Sequence, residues 1–409
     1  MLKSQEQINA LVQYFAAGCK PQGKLTLGLE VEHFITHLDG SPVTFPQVQD
    51  VMRAMQQPSD RAILIDGLYM GFNNERYGIS LEPACQLEIS VAPCAEVLSI
   101  MQIYQDFFSL LGSVLATRGM RAYAIGFHPF TRAEDLALIP KKRYQVMNDY
   151  FKTSGQHGIH MMRATASTQL SIDYYSEQDF INKYRAACLI TPLLALLTDN
   201  APVYQGAPNY AYSVRTHIWQ DVDPDRCGIP PFLMEEDFGF AAYAAYLLQK
   251  PLIVVKRGER SLSAGRSKTG DAYGRRLRKG EIEHILSMFF FDVRLKNYIE
   301  IRGADSMPPR YIAAYAQLIR TIFSSPAALE GILRHYAGRT VREIEDAKQA
   351  VCRSGYHARI YGSPAVDEVA WLLAQAKSRI LLPEERHLLD PFICLAAQQK
   401  TIREVEHYV

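Results

Sequence analysis

The stretch Gly28-Leu-Glu-Val-Glu-His33 places two carboxylates at two-residue spacing among apolar side chains. In an extended strand, Glu30 and Glu32 share one face, whereas Leu29 and Val31 share the other. Carboxylates on a protein surface usually only solvate it. This alternation instead predicts a half-buried strand with one chemically active face.

A second stretch, Ser80-Leu-Glu-Pro-Ala-Cys-Gln-Leu-Glu-Ile-Ser90, repeats the arrangement, with Glu82, Gln86 and Glu88 at even positions. Cys85 shares parity with the apolar residues, which favours core packing over catalysis. Rows of carboxylates on a half-buried sheet repel one another unless a cation lies between them. Divalent metal ions carrying a polyphosphate would supply that charge.

The composition is that of an ordinary soluble globular protein. Of 409 residues, 48% are hydrophobic and 21% charged, and the formal net charge is +1. This balance argues against nucleic-acid binding by bulk charge and against a membrane-surface protein. The first residues lack the apolar run of a signal peptide, so we expect a cytoplasmic protein with small-molecule partners. Nothing in the sequence predicts the oligomeric state.

The seven cysteines show no close metal-ligand spacing, and an odd number cannot all pair within one chain. Free thiols are the expectation in the cytosol, and a disulfide switch is the alternative.

The chain pattern predicts several further elements. Leu25–Phe45 is expected to form a hairpin around Asp39-Gly40, and Ala95–Arg118 a helix that stops at Gly119. Arg121–Phe127 is expected to be a strand. Alternation predicts another at Ser167–Asp173.

Beyond this strand, Ser176 and Asp179 resemble the start of a helix over Phe180–Leu197. Two more alternating stretches follow, Ser213–Trp219 and Tyr298–Arg302, and each is predicted to be a strand with one polar face.

The strand Ser213–Trp219 would present Arg215 and His217 together. His217 could orient a phosphate or accept a proton, and the alternative is a structural role.

These elements predict an α+β fold with a curved, mostly antiparallel sheet whose polar face lines an open site. No strand leads into a glycine-rich phosphate loop, and the regular alternation of a doubly wound fold is missing. Residues 1–305 would form the catalytic core. Residues 306–409 would form a helical region packed on it, with a helix start at Ser363-Pro364 and a break at Leu382-Pro383.

The basic, glycine-rich stretch Lys256–Gly280 has two interpretations. It is either a solvated surface loop or a mobile lid that brings positive charge over nucleotide phosphates.

In their residues and in their order along the chain, these segments resemble those of the plant-type, second family of glutamate-cysteine ligases, which includes bacterial carboxylate-amine ligases. Besides the two opening stretches, the matching segments are Pro140-Lys-Lys-Arg-Tyr, Met161-Met-Arg-Ala-Thr-Ala-Ser-Thr-Gln, Arg215-Thr-His-Ile-Trp and Val293-Arg-Leu-Lys-Asn-Tyr-Ile-Glu-Ile-Arg-Gly-Ala-Asp305. Six segments in the right order make the resemblance specific.

The resemblance implies a glutamine-synthetase-like funnel in which ATP, Mg²⁺ (or Mn²⁺) and glutamate meet, and a role in glutathione biosynthesis. It implies magnesium ligands at Glu30, Glu32, Glu82, Glu88 and Glu300. Arg215 and Arg302 would contact the amino acid and the phosphoryl group in catalysis, and Gln169 and Trp219 would help bind substrate. Lys142, Arg143 and Arg302 would contact the nucleotide phosphates.

This chain departs from the family at two places: Ala84-Cys85 stands where Gly-Gly is usual, and Ala164 where plant members carry arginine, with Arg163 one position earlier. Both lie beside the predicted site, so the acceptor amine stays open: cysteine, another amino acid or a small amine. A metal-dependent phosphotransferase is an alternative of a different class. A binding protein without catalysis would gain little from several mutually repelling carboxylates.

Overall fold

The computed structural model describes residues 2–258, 260–380 and 382–406. In chain order, the strands are β1 (Leu27–His37), β2 (Arg61–Ile65), β3 (Leu68–Asn73), β4 (Tyr77–Leu81), β5 (Leu87–Cys94), β6 (Met120–Tyr123), β7 (Ser167–Ile172), β8 (Val203–Tyr204), β9 (Ala207–Pro208), β10 (Cys227–Gly228), β11 (Val254–Arg257), β12 (Arg260–Ser263), β13 (Phe290–Phe291), β14 (Val293–Leu295), β15 (Ile299–Asp305), β16 (Arg359–Ile360) and β17 (Ser363–Pro364).

The α-helices, in chain order, are α1 (Leu2–Ala16), α2 (Phe45–Met55), α3 (Val97–Ala116), α4 (Lys142–Ser154), α5 (Gly158–Ala164), α6 (Glu177–Leu189), α7 (Thr191–Leu197), α8 (Val214–Trp219), α9 (Phe240–Gln249), α10 (Thr269–Ala272), α11 (Lys279–Leu286), α12 (Pro309–Ser324), α13 (Pro326–His335), α14 (Val341–Ser354), α15 (Ala365–Lys377), α16 (Asp390–Gln398) and α17 (Ile402–Val405). Three 3₁₀ turns cover Ala133–Asp135, Gly355–His357 and Pro383–Leu389.

One sheet organises the molecule, in the order β14-β15-β7-β1-β5-β4-β3-β2, with β6 added to the second half of β1. Every neighbouring pair in it is antiparallel. The expected α+β class with a mostly antiparallel sheet is therefore confirmed.

The alternation of the sequence explains the two faces of this sheet. On β1, Leu27, Leu29 and Val31 are almost fully buried in the main apolar cluster. The intervening glutamates point to the opposite face. The same period of two holds on β5, where Leu87 and Ile89 are buried.

Helix α3 matches the predicted helix closely, and Gly119 just beyond it has a φ of +64°. It is long and apolar enough to cross a membrane by length and composition alone. Its face with Ile100, Tyr104 and Phe107 is buried in the main core cluster, and α3 packs against β5.

Some predicted elements differ from the structure, the hairpin first among them. The hairpin over Leu25–Phe45 is wrong: β1 pairs with β5, β6 and β7, while α2 begins at Phe45. The predicted turn at Asp39-Gly40 does form, but only one bridge, Thr36 to Pro42, follows it. Long-range pairing on both sides of β1 replaces the local partner.

The helix predicted over Phe180–Leu197 is two helices, α6 and α7, bent by 52° at the break. Pro192 lacks a backbone N–H and is placed in the first turn of α7, where none is needed. The predicted cap is confirmed, because the Ser176 hydroxyl accepts a hydrogen bond from the Asp179 amide at 3.1 Å.

Beyond residue 306 the chain is mostly helical, and α12 packs on α3 and β7. Lys348 of α14 is buried and pairs with Asp292 next to β14 (Nζ to Oδ2, 2.5 Å). The division of the chain at residue 305 stays a prediction.

The stretch Lys256–Gly280 holds parts of the β11–β12 hairpin and the short helix α10. The hairpin packs against α4. Whether it moves as a lid stays a prediction.

Candidate active site

Four glutamates face one cavity of about 350 Å³ on the polar side of the sheet. On β1, Glu30 lies opposite Ser90 and Gln169, and Glu32 lies opposite Glu88 of β5. The other two glutamates are Glu82 and Glu88, and the buried amide side chain of Gln86 lines the same cavity. The two stretches with which the sequence analysis began therefore meet at the cavity.

Glu82 lies in the tight turn between β4 and β5, where its backbone N–H donates to the Gln86 carbonyl at 2.9 Å. Cys85 closes this turn with a φ of +69° and its side chain is buried. The thiol packs in the core and does not line the cavity. Each of the seven cysteines is unpaired.

Neutral donors hold two of the carboxylates. Glu32 accepts from the Ser167 amide at 2.7 Å and from Gln169 Nε2 at 3.3 Å. Glu88 accepts from the Ser80 hydroxyl at 3.0 Å. These bonds fix the direction of the carboxylates but bring no positive charge.

The pKa values of three of these carboxyl groups reflect their burial and the nearby glutamates. Burial, and then Glu82, raises the pKa of Glu32 to about 7, although Arg215 acts in the opposite direction. Burial and then Glu30 raise the pKa of Glu88 well above its ordinary value, and burial and then Glu300 raise that of Glu30. The folded chain therefore holds these acids in a state that a bound cation would stabilise.

Three cationic side chains from the β14–β15 part of the sheet line the same cavity. Glu300 of β15 is fully buried and pairs with Arg294 (2.6 Å), Lys296 (2.8 Å) and Arg302 (2.8 Å). Burial alone would raise the pKa of Glu300, but Arg294 first, then Lys296 and Arg302, hold this pKa well below its ordinary value. The three cations line the cavity, whereas Glu300 lies behind them.

Arg302 also donates to Gln169 Oε1 at 2.5 Å, so it joins β15 to β7 at the floor of the site. In this conformation Glu300 is the counterion of three cations. Its role as a magnesium ligand stays a prediction.

The predicted strand Ser213–Trp219 is wrong, because these residues form helix α8. The His217 amide donates to the Ser213 carbonyl at 3.1 Å, as a helix requires. Val214 and Ile218 are four residues apart and are both buried. The alternating pattern of this stretch is therefore also compatible with the spacing of a helix.

The helix separates the two residues that a strand would have presented together. Arg215 is buried and lines the cavity beside Trp219, whose ring centroid lies 5.4 Å from its guanidinium carbon. His217 is exposed on another side of α8, with its ring 5.1 Å from that of His157. The structure gives no support to a catalytic role for His217.

At the start of α4, the pair of basic residues that lines the cavity differs by one residue from the pair that the sequence predicted. Lys142 is exposed, does not line the cavity, and uses its backbone N–H to bind Asp66 at 3.1 Å. Lys141 and Arg143 line the cavity instead. Because α4 begins at Lys142, neighbouring side chains point in different directions.

Sequence reasoning gave no role to Lys141, Arg294 and Lys296. A signal for two of them was present: Arg294 and Lys296 are two residues apart, at the same spacing as Glu300 and Arg302. No spacing rule could have found Met147 or Met161, which line the cavity from separate helices.

The donor chemistry of the carboxylates fits Mg²⁺, which prefers hard oxygen ligands. Within residues 2–258, 260–380 and 382–406, no three His, Cys, Asp or Glu side chains are arranged to hold a metal ion in this conformation. Glu30, Glu32, Glu82 and Glu88 line one cavity with such oxygens, and burial followed by a neighbouring glutamate raises the pKa of three of them, an effect that a bound cation would oppose.

The fold is similar to that of a solved ligase. The crystal structure of glutamate-cysteine ligase from Francisella tularensis in complex with AMP superimposes with a TM-score of 0.58, covering 92% of this chain and 82% of that chain at 11% sequence identity. This similarity establishes the fold.

Sequence comparison then identifies the family. The model of glutamate-cysteine ligase family 2 matches residues 26–392, so the chain belongs to that family. The chloroplastic glutamate-cysteine ligase of Medicago truncatula is 32% identical over 84% of this chain and 70% of its own length. The Arabidopsis thaliana enzyme is 32% identical over 84% of this chain and 68% of its own length. The A form of Oryza sativa subsp. japonica is 34% identical over 74% of this chain and 64% of its own length. The chain thus spans about two thirds of the length of these plant relatives.

Proposed function

We propose that this protein is an ATP-dependent ligase that joins the γ-carboxylate of glutamate to the amine of cysteine. One observation carries the proposal: within a family of glutamate-cysteine ligases, a single cavity sets four carboxylates against six cationic side chains. Such a cavity can hold a polyphosphate with metal ions and an amino-acid carboxylate together.

The reaction must overcome the low reactivity of a carboxylate toward amines. A γ-carboxylate oxygen of glutamate attacks the γ-phosphorus of ATP and ADP leaves, which gives γ-glutamyl phosphate. The amine of the acceptor then attacks the carbonyl carbon, inorganic phosphate leaves, and the nitrogen loses a proton. Neither step needs a protein nucleophile.

The residues of the chain supply charge and alignment for both steps. Arg302 is fixed by Glu300 and Gln169 and can stabilise the phosphoryl oxygens as charge develops on them. Among the residues that the structure describes, none accepts a hydrogen bond from Arg215 Nε, and this N–H is available to the glutamate.

Magnesium ions would be held by Glu30, Glu32, Glu82 and Glu88. When bound, the magnesium ions would neutralise the phosphate oxygens and align the nucleotide for transfer.

The acceptor amine is the least constrained part of the proposal. The alternative keeps the same chemistry with another amino acid or a small amine, and a phosphotransferase would stop at a phosphorylated product. Incubation with ATP, glutamate and a panel of amines, followed by phosphate measurement and mass analysis of the product, separates these functions. A glutamyl amide with cysteine supports the proposal, whereas phosphate transfer without an amide contradicts it. The cytoplasmic location stays a prediction.

We expect Arg215→Lys to weaken glutamate binding by roughly 1 to 3 kcal/mol, because lysine keeps the charge but loses the planar fork. The KM for glutamate should rise, whereas the KM for ATP should change little. Arg76→Lys on the surface, where the arginine pairs with Asp106 at 3.1 Å, is the matched control. An unchanged glutamate dependence would show that Arg215 is structural.

We also expect glutamate to be phosphorylated before the amine arrives, since Arg302 and Glu300 are assembled without any contribution from an acceptor. With glutamate labelled by ¹⁸O in the γ-carboxylate, one labelled oxygen should appear in the released phosphate. A sulfoximine analogue of glutamate should inhibit tightly only when ATP and metal are both present. Inhibition without nucleotide, or phosphate free of label, would disprove the acyl-phosphate route.

A further inference from the structure

A cavity of about 500 Å³ lies between α12, the residues just before α3 and the segment that follows α15. This α12 cavity is lined from one face of the helix by Gln317, Arg320 and Thr321. The turn over Pro383–Leu389 adds Glu385. Among the residues that the structure describes, none lines both this cavity and the candidate active site. It is therefore a second concave site in another part of the molecule.

Two buried side chains of the α12 cavity have an open hydrogen-bonding position. Glu385 is 6% exposed, and its Oε1 accepts no hydrogen bond from the part of the chain that the structure describes. Gln317 is 2% exposed and donates from Nε2 to Thr321 Oγ1 at 3.0 Å, but within the same described residues its Oε1 has no donor. Burial of polar oxygens without donors costs free energy. A ligand with an ammonium group would supply up to three N–H donors.

Positive charge lies nearer to solvent. Arg320 and Arg379 line the α12 cavity and are both partly exposed. Arg320 Nε donates to the Ala95 carbonyl at 2.8 Å, and Arg379 Nη1 donates to the Gln375 carbonyl at 2.8 Å. Neither arginine forms an ion pair with a carboxylate of residues 2–258, 260–380 or 382–406. The two guanidinium groups can therefore bind an anionic group of a ligand.

The balance of charge favours a ligand without net charge. Of the described residues that line the α12 cavity, the charged ones are Glu96, Glu385 and the two arginines, so their formal charges cancel. A zwitterion leaves this balance unchanged, whereas a diamine or a phosphate does not. Ile380 and Pro326 add apolar surface for an aliphatic chain. The volume is within the range of about 300 to 1,000 Å³ that is usual for small-molecule sites.

We propose that the α12 cavity binds a small aliphatic zwitterion, of the class of amino acids and short peptides. The ammonium group of this ligand contacts Glu385 and Gln317, and its carboxylate contacts Arg320 and Arg379. The site is separate from the one in which we place the substrates, and it does not depend on the proposed ligase function.

Calorimetry of the whole protein with 6-aminohexanoate, which carries an ammonium and a carboxylate on an aliphatic chain, tests the site without relying on turnover. Hexanoate lacks the ammonium group and should bind at least about tenfold more weakly. Glu385→Gln keeps the shape of the side chain but removes its charge, and it should weaken binding of 6-aminohexanoate by roughly tenfold or more. Glu384→Gln, at the exposed neighbouring position, is the matched control and should leave binding unchanged.

Arg379→Met tests the other end of the ligand. It should weaken binding of 6-aminohexanoate but leave hexylamine, which has no carboxylate, within about twofold of its affinity for the original protein. Arg386→Met, at an exposed position of the turn over Pro383–Leu389, is the control and should bind both probes normally.

The candidate active site provides the opposing result. Arg215→Lys should bind 6-aminohexanoate like the original protein. Weaker binding by Arg215→Lys, with unchanged binding by Glu385→Gln, would place the probe in the candidate active site and overturn the proposal. No binding of 6-aminohexanoate to the original protein, or equally tight binding of hexanoate, would also overturn it. Thermal unfolding identifies any variant that fails to fold, and the comparison of the probes on the original protein then decides.

Discussion

Glu32→Gln is expected to lower turnover by roughly three orders of magnitude while the fold remains intact. Glutamine keeps the shape of the side chain and can still accept from the Ser167 amide, but it removes a charge from the carboxylate wall. The loss should appear in kcat and in a weaker response to Mg²⁺. Glu75→Gln, at an exposed position, is the control and should behave like the original protein. Full activity of Glu32→Gln, or of the original protein in excess chelator, would rule out the metal role.

The same substitution should stabilise the metal-free protein at neutral and higher pH. Burial, followed by Glu82, raises the pKa of Glu32 from 4.5 to about 7, so the folded chain binds the proton more tightly than the unfolded chain. The contribution of Glu32 to stability is therefore fully present below pH 4.5, falls as the pH rises toward 7, and stays low above it.

Glutamine has no proton to lose, so the stability difference between the two proteins should grow across this pH window. The rise from 4.5 to about 7 corresponds to on the order of 3 kcal/mol. Denaturant unfolding with chelator at pH 5 and pH 8 measures it. An equal stability difference at the two pH values would show that the pKa of Glu32 is not raised by folding.

Arg302→Met is the second change with a large expected effect, a fall in kcat of about a hundredfold to a thousandfold. The substitution removes the guanidinium that bonds Gln169 and Glu300 and that faces the phosphoryl group in the proposed reaction. The fold should survive, because Glu300 keeps Arg294 and Lys296 as partners.

The readout that separates catalysis from structure is the comparison of kcat with KM and with thermal stability. A large loss of kcat with unchanged unfolding is the expected result. Arg76→Met, which breaks only an exposed pair with Asp106, should leave both unchanged. If Arg302→Met unfolds at a much lower temperature and Arg302→Lys restores full activity, the residue serves only the fold.

The fold class could be predicted from the sequence because period-two alternation survives in the strands that carry the site. The carboxylates of β1 and β5 occupy one face for the reason that their spacing implied. Alternation failed at Ser213–Trp219, where Val214 and Ile218 satisfy a helical spacing equally well. Seven residues are too few to distinguish the helical period from the strand period of two. Packing in the core determines that this stretch is a helix.

Other parts of the site depend on distances that the sequence does not contain. The approach of Arg294 and Lys296 to Glu300 results from the β14–β15 pairing, and the contribution of Lys141 depends on where α4 begins. The predicted hairpin failed for a similar reason, since a suitable turn at Asp39-Gly40 cannot compete with two long-range partners for β1.

The double pairing of β1 has a consequence for binding. Its backbone is bonded to β5 on one side and to β7 on the other, and its last residues pair with β6, so Glu30 and Glu32 cannot separate from their neighbours by moving the strand. The unfavourable electrostatic free energy of bringing like charges together is therefore part of the free energy of folding. A cation that enters the cavity meets a preorganised set of ligands, and the repulsion that it relieves adds to its affinity.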